Sequence, residues 1–166
     1  KAGAEVLPFR SNIPEISKFS FTVIDDTFYK RAIQAKEKYG GHVVVAGENY
    51  AQGSSREHAA IGPKYLGQVA VIAKDYARIA WQNLINFGIL PLEFINPEDY
   101  EQIEEGAVIR FSNLKESVRS GNPITVRVLN KNNEVDLPLT HKMTPRQVEI
   151  LTKGGIINDF REKLAS

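Results

Sequence analysis

The chain has 166 residues, with 21 basic and 20 acidic side chains for a net charge of +1, and 42% of it is hydrophobic. That length suits a single domain, 1–166, and the apolar share is enough for a core, which excludes general disorder. The near-balanced charge gives no reason to expect a nucleic-acid or membrane-surface partner, and no apolar run approaches the roughly 20 residues of a membrane span.

Two sulfur counts narrow the chemistry further. There is no cysteine, so the chain offers no disulfide, no thiolate nucleophile and no Cys ligand for zinc or an iron–sulfur cluster. The only methionine is Met143 and the chain opens at Lys1, so it is expected to be a processed protein or one piece of a longer polypeptide. No charged-then-apolar targeting segment opens it, and a cytoplasmic location is expected.

In chain order, Val6 to Ser17 is broken by Pro8 and Pro14 and reads as loop. Phe19 to Ile24 alternates apolar and polar residues, which predicts a half-buried strand. Thr27 is placed to cap a helix from Phe28 to about Tyr39, with Arg31, Lys36 and Lys38 on a solvated face and Gly40-Gly41 as its stop. His42 to Ala46 is a short β-branched run suited to a strand buried on both faces. A glycine-punctuated loop, Gly47 to Gly53, leads to a helix predicted from about Ser55 to Leu66.

Val69 to Ala73 reads as a second buried strand. Asp75 is placed to cap a helix from Tyr76 to Phe87, with Ile79, Leu84 and Phe87 facing a core and Gly88 as the stop. Ile89 to Leu92 is a third short apolar segment. Strand–helix–strand–helix–strand with short links predicts a βαβ core and a parallel sheet. After Pro97 the pattern changes. Ala107 to Phe111, Ile124 to Leu129 and Glu134 to Leu139 alternate as antiparallel strands do, with a turn at Asn130 to Asn133. Thr144-Pro145-Arg146-Gln147 is a helix start that Gly154-Gly155 ends, and a short terminal helix follows.

The densest polar run is Gly47-Glu48-Asn49-Tyr50-Ala51-Gln52-Gly53-Ser54-Ser55-Arg56-Glu57-His58. It follows a buried strand and precedes a helix, the carboxyl-end position where open parallel sheets bind ligands. A helix N-terminus supplies free N–H groups, and Arg56 a planar fork for carboxylate or phosphate. The same residues fit a capping box, Ser54 at N-cap and Glu57 at N3, and a capped helix end can bind an anion with the same donors. The run is neither a P-loop, since no Lys follows the last glycine, nor a dinucleotide fingerprint, since the glycine spacing is wrong.

Gly47 to Ala60 resembles the signature of the aconitase family's C-terminal "swivel" domain. The likeness continues through Tyr65-Leu66-Gly67, Ala73 to Ile79 and Asn83 to Leu92, and Leu7 to Pro14 is similar to the family's arginine-bearing loop. The resemblance implies a three-layer β/β/α swivelling domain, α/β in class, whose mixed sheet has a βαβ core. It implies an aconitate hydratase-type lyase that interconverts citrate and isocitrate through cis-aconitate. Ser54 would be the base, Ser55 would orient substrate, and Arg56 and Arg10 would each hold a substrate carboxylate. A 4Fe-4S cluster would be ligated by other domains or a partner chain, so this domain alone is expected to be inactive. The partners implied are the cluster-bearing domains, in the same polypeptide or a large subunit, and a tricarboxylate.

The chemistry is coherent, because a helix N-terminus and two guanidinium groups stabilise an alkoxide and a polycarboxylate alike. Three features depart from the family pattern. The Asp-bearing segment before the arginine loop would precede Lys1, Ala51 stands where many members have glycine, and Asp75 stands where many have serine. Homoaconitase, an isopropylmalate isomerase small subunit, and a non-catalytic binding module of the same fold, RNA binding included, are the alternatives.

His58 reads as a structural hydrogen-bonding residue, and His42 and His141 as surface residues at element edges. The three histidines show no metal-ligand spacing. Asp25-Asp26 would point apart in a strand or cap the next helix, so a catalytic carboxylate pair is not expected, and Trp81 reads as core or domain-interface packing.

Overall fold

The structure is a computed structural model and describes residues 4–52 and 56–165. A 3-10 helix, Ala4–Phe9, precedes α1 (Ile13–Ser17), which Asn12 caps by accepting from the Glu15 N–H at 3.2 Å. α2 (Phe28–Tyr39) ends at Gly40, whose φ of +82° only glycine adopts without strain. Then follow β1 (His42–Ala46), α3 (His58–Tyr65), β2 (Gln68–Ala73), α4 (Arg78–Asn86) and β3 (Leu90–Phe94). After a 3-10 turn at Pro97–Gln102 come β4 (Val108–Phe111), α5 (Leu114–Ser120), β5 (Ile124–Leu129), β6 (Glu134–Thr140), α6 (Pro145–Thr152) and α7 (Ile156–Ala165).

The strands form one six-stranded mixed sheet in the order β1-β2-β3-β6-β5-β4. β1, β2 and β3 are parallel, joined by α3 and α4 as the βαβ pattern requires, and β4, β5 and β6 are antiparallel. Between the two halves the strand pairing runs through β3 and β6, where Glu93 pairs with Thr140 and Phe94 with Leu139. β2 shows how the layers stack. Its Ala70 and Ile72 share a buried cluster with Val126, Val128, Leu137 and Leu139 of the antiparallel half. Its Val71 and Ala73 pack instead with Ala60 of α3 and Leu84 of α4. One face of β2 therefore packs on the antiparallel strands together with Ile85, Val118, Val148 and Ile150 of the helices, and the other on α3 and α4, within the expected α/β fold of a mixed sheet with a βαβ core. Val71, Ile72, Leu92 and Leu139 are wholly buried, each contributing about 1.5–3 kcal/mol by transfer from water.

The C-terminal elements lock onto this core through backbone contact. Gly88, just after α4, has φ +72°, and a Cβ there would lie 2.6 Å from the carbonyl oxygen of Gly154. α6 opens with the expected capping box: the Gln147 side chain accepts from the Thr144 N–H at 2.8 Å, and the Thr144 hydroxyl accepts from the Gln147 N–H at 3.3 Å.

Several expectations are corrected. Phe19 to Ile24 is not a strand. Its N–H groups bond back to carbonyls three residues earlier, among them Ser20 to Ser17 at 3.0 Å and Ile24 to Phe21 at 2.8 Å, and Phe21 has φ +58°. Thr27 does not cap α2, because its hydroxyl donates to the Asp25 carboxylate at 2.6 Å. α3 begins at His58 with Glu57 in the cap position, so Glu57 is not at N3 of a capping box. α4 begins at Arg78 after Ala77, which leaves Asp75 outside the helix, and Ile79 is exposed rather than facing the core. His42 and His141 are not surface residues. The ring nitrogens of His42 are buried beside Phe28, and the His141 Nε2 lies 2.9 Å from the Val118 carbonyl oxygen.

Candidate functional site

The loop leaving β1 is built onto the loop leaving β2. The Lys74 N–H donates to the Gly47 carbonyl at 3.1 Å, and the Tyr50 N–H to the Asp75 carbonyl at 3.1 Å. The Ala77 N–H returns a bond to the Tyr50 carbonyl at 3.1 Å, and the Asn49 N–H donates to the Asp75 carboxylate. Tyr50 and Tyr76 thus pair as an isolated bridge, their rings edge-on at 5.8 Å. The Tyr76 hydroxyl sits 2.6 Å from the Leu92 carbonyl oxygen. Burial pushes the Tyr50 hydroxyl up to about 12 and that of Tyr76 up as well, so both stay neutral. These are anchoring groups rather than acid–base groups.

Held this way, the tip of the loop turns sharply. Asn49 and Ala51 have φ +53° and +60°, and the Gln52 N–H closes a turn on the Asn49 carbonyl at 3.0 Å. Ser54 and Ser55, the expected base and its neighbour, lie outside the described residues, as does Gly53. The chain resumes at Arg56 and enters α3.

Arg10, by contrast, comes from far upstream. It lies between the 3-10 helix Ala4–Phe9 and α1, and its carbonyl oxygen is 3.0 Å from the His58 Nε2. Arg10 and Arg56 line one open cavity of about 890 Å³ with Asn49, Gln52 and His58. Two of the expected site residues are thereby brought together from opposite sides of β1 in sequence. Two guanidinium groups on one cavity suit a ligand with more than one carboxylate.

Part of the lining is apolar. Phe19, Phe21, Val23 and Ile24 line the same cavity, and Val23 and Ile24 are 74% and 84% exposed. Sequence reasoning placed this segment in a strand because it alternates. The usable signal was its position between the arginine loop and Asp25-Asp26, with no strand nearby in sequence to pair it. In sequence Asn49 and Gln52 are loop residues with no signal of their own, and the fold puts them in the cavity lining. His58 is hydrogen-bonded as expected, with its partner 48 residues upstream rather than in its own helix.

With no cysteine in the sequence, the chain has no thiolate for a 4Fe-4S cluster. Among the described residues no three His, Asp or Glu side chains come together as metal ligands, so these residues do not fit the group. Among the described residues no helix is long and apolar enough to cross a membrane.

Comparison with known proteins bears on the same region. Residues 12–97 match the aconitase C-terminal domain. The mitochondrial aconitate hydratase of Saccharomyces cerevisiae is 42% identical over 120 residues, covering 72% of this chain and 15% of that protein. That of Gracilaria gracilis is 40% identical over 125 residues, covering 75% of this chain and 16% of that protein. The chain thus spans about one-sixth of the length of these relatives. Among solved structures, the 3-isopropylmalate dehydratase of Methanocaldococcus jannaschii superposes with a TM-score of 0.69 at 33% identity, covering 93% of this chain and 80% of that one. The matched segment runs from the cap of α1 past the end of β3, just over half of the chain, and by it the chain belongs to the aconitase C-terminal domain family.

Proposed function

We propose that this chain is the swivel domain of an aconitase-type hydro-lyase, contributing to citrate–isocitrate isomerisation through cis-aconitate. The observation that carries the reading is the convergence of Arg10 and Arg56 on one cavity beside the β1–α3 loop. In this reading each guanidinium takes a substrate carboxylate as a bidentate fork. Ser54, between Gln52 and Arg56 in the loop, takes the proton from the substrate carbon, and Ser55 orients the substrate. Cationic groups in such a site would favour a serine alkoxide, and closure against another domain would strengthen both effects by excluding water.

The 4Fe-4S cluster implied by the family resemblance finds no thiolate here, so it would be held by cluster-bearing partner domains. This chain's share of the chemistry is then proton transfer and carboxylate binding, and alone it is inactive as a hydro-lyase. The cytoplasmic location is part of the proposal. The relatives above carry the word mitochondrial in their names, and fractionation of the source cells decides between the two.

A second reading is favoured by the apolar part of the lining. Phe19, Phe21, Val23 and Ile24 would suit an aliphatic substituent, as on isopropylmalate, better than a third carboxylate. The test is to combine the chain with its cluster-bearing partner region and assay citrate, homocitrate and isopropylmalate. Turnover of citrate is expected. Turnover of isopropylmalate alone selects the second reading. Failure of all three at full cluster content defeats the enzyme reading in favour of a binding module.

A further inference from the structure

The cavity's two arginines sit on segments 46 residues apart, so something must hold their spacing. We propose that His58 is the positioning residue that fixes the Arg10 segment against the start of α3. Its Nε2 is 3.0 Å from the carbonyl oxygen of Arg10 itself, two residues along the chain from Arg56. The carbonyl is an acceptor only, so the Nε2 carries the proton and donates. One imidazole thereby links the backbone bearing one guanidinium to the helix turn beside the other.

The surroundings explain why this bond matters locally. Downstream, α1 is packed tightly on α3. Ser17 is wholly buried, and a Cβ on Gly62 would meet the Ser20 hydroxyl at 2.9 Å. Upstream, Val6 is 2% exposed and Phe9 stacks on Phe19 at 5.8 Å. Between these anchors, Arg10, Ser11 and Asn12 are exposed. Their own backbone closes one turn, the Asn12 N–H to the Phe9 carbonyl at 2.8 Å. The His58 bond is what ties this exposed span to the helix that follows Arg56. The role as a positioner of substrate groups rests on the proposed function. The tether itself does not.

The tether is tested without any ligand, by limited trypsin digestion of the chain, following cleavage of the Arg10–Ser11 bond by mass spectrometry. His58→Met keeps the side-chain length and removes the donor, and is expected to speed that cleavage about five- to tenfold, the worth of one hydrogen bond. His58→Gln, which carries a donor near the Nε2 position, is expected to restore the wild-type rate. Cleavage after Arg127, within β5, reads global unfolding and should not change. Equal rates at Arg10 in all three proteins overturn the proposal. A parallel rise at Arg127 also overturns it, because His58 is then a general stabiliser.

The consequence for binding is tested with tricarballylate, a tricarboxylate that carries no hydroxyl to lose. His58→Met should weaken its binding in the wild-type background and have no further effect beside Arg10→Ala. Effects that add in the double variant overturn the positioning role. A wild-type chain that protects Arg10 but binds no tricarballylate defeats the carboxylate reading and leaves the tether standing.

Discussion

The backbone N–H of Asn49 donates to the carboxylate of Asp75, so the loop that leaves β1 is fastened to the loop that leaves β2. Asp75 sits where a helix cap was expected, and it does a different job. It holds the site loop with its side chain and, through its carbonyl, with a bond from the Tyr50 N–H at 3.1 Å. Asp75→Ala removes only the first. It should speed amide exchange at Asn49 and cost about 1 kcal/mol in urea unfolding. Unchanged exchange at Asn49 would show that the carboxylate is not the fastener.

Ala51 has φ +60° in the same loop, a conformation that costs an L-residue about 1–2 kcal/mol relative to glycine. Ala51→Gly is therefore expected to raise stability, by about 1 kcal/mol once the greater freedom of the unfolded glycine is subtracted. Urea unfolding at constant slope measures it.

Ser54→Ala tests the proposed base in the enzyme reconstituted with its cluster-bearing partner. kcat should fall about 10²–10⁴-fold, the usual contribution of a positioned base, with KM nearly unchanged. Arg56→Lys should raise KM instead, because a fork is replaced by a point charge. A Ser54→Ala enzyme of wild-type turnover removes Ser54 from the chemistry.

His42 lies at the start of β1 with its ring nitrogens buried and Phe28 edge-on at 5.3 Å. Burial lowers it from 6.5 to about 4. The unfolded chain therefore binds a proton between those values that the folded one refuses. Stability should be full above about pH 6.5, decline as pH falls, and stop declining through this group below about pH 4. His42→Leu should flatten that part of the unfolding free energy against pH, with the carboxylates still titrating lower.

Asp159, wholly buried in the first turn of α7, takes Arg146 from α6 and Lys153 from the segment between the two helices. Lys163, on α7 itself, approaches its carboxylate at 3.2 Å. Foremost the Arg146 hydrogen bond, and then the two lysines, hold its carboxyl well below the usual range. Asp159→Asn leaves three cations around a neutral amide and should lower Tm by several degrees, α7 detaching first in amide exchange. The sign with pH follows: the stability Asp159 contributes is present above about pH 4 and is lost as pH falls below that.

The βαβ half was legible because its apolar runs are short, β-branched and separated by helix-length segments. β5, the Asn130–Asn133 turn and the α6 capping box were legible from alternation and local hydrogen-bonding chemistry, which act within a few residues. Arg10 and Arg56 stand out in sequence as motif residues, and the fold brings them to one cavity, whereas Ser54 and Ser55 lie outside the described residues. Phe19 to Ile24 was not, because its alternation is real but no strand lies beside it, and a strand needs a partner. Asp75 was not, because its acceptor serves an N–H 26 residues away.

By itself, then, the sequence determined which side chains the chain has to offer, a serine pair and Arg56 after a glycine-punctuated loop, Arg10 upstream and no thiolate, since side-chain type alone decides those. The tertiary structure decided that Arg10 and Arg56 share one cavity, that Phe19, Phe21, Val23 and Ile24 line it too, and that His58 joins their segments. Those relations depend on how α1 packs on α3. Such packing is set by close contacts between residues distant in the chain, which no local pattern encodes.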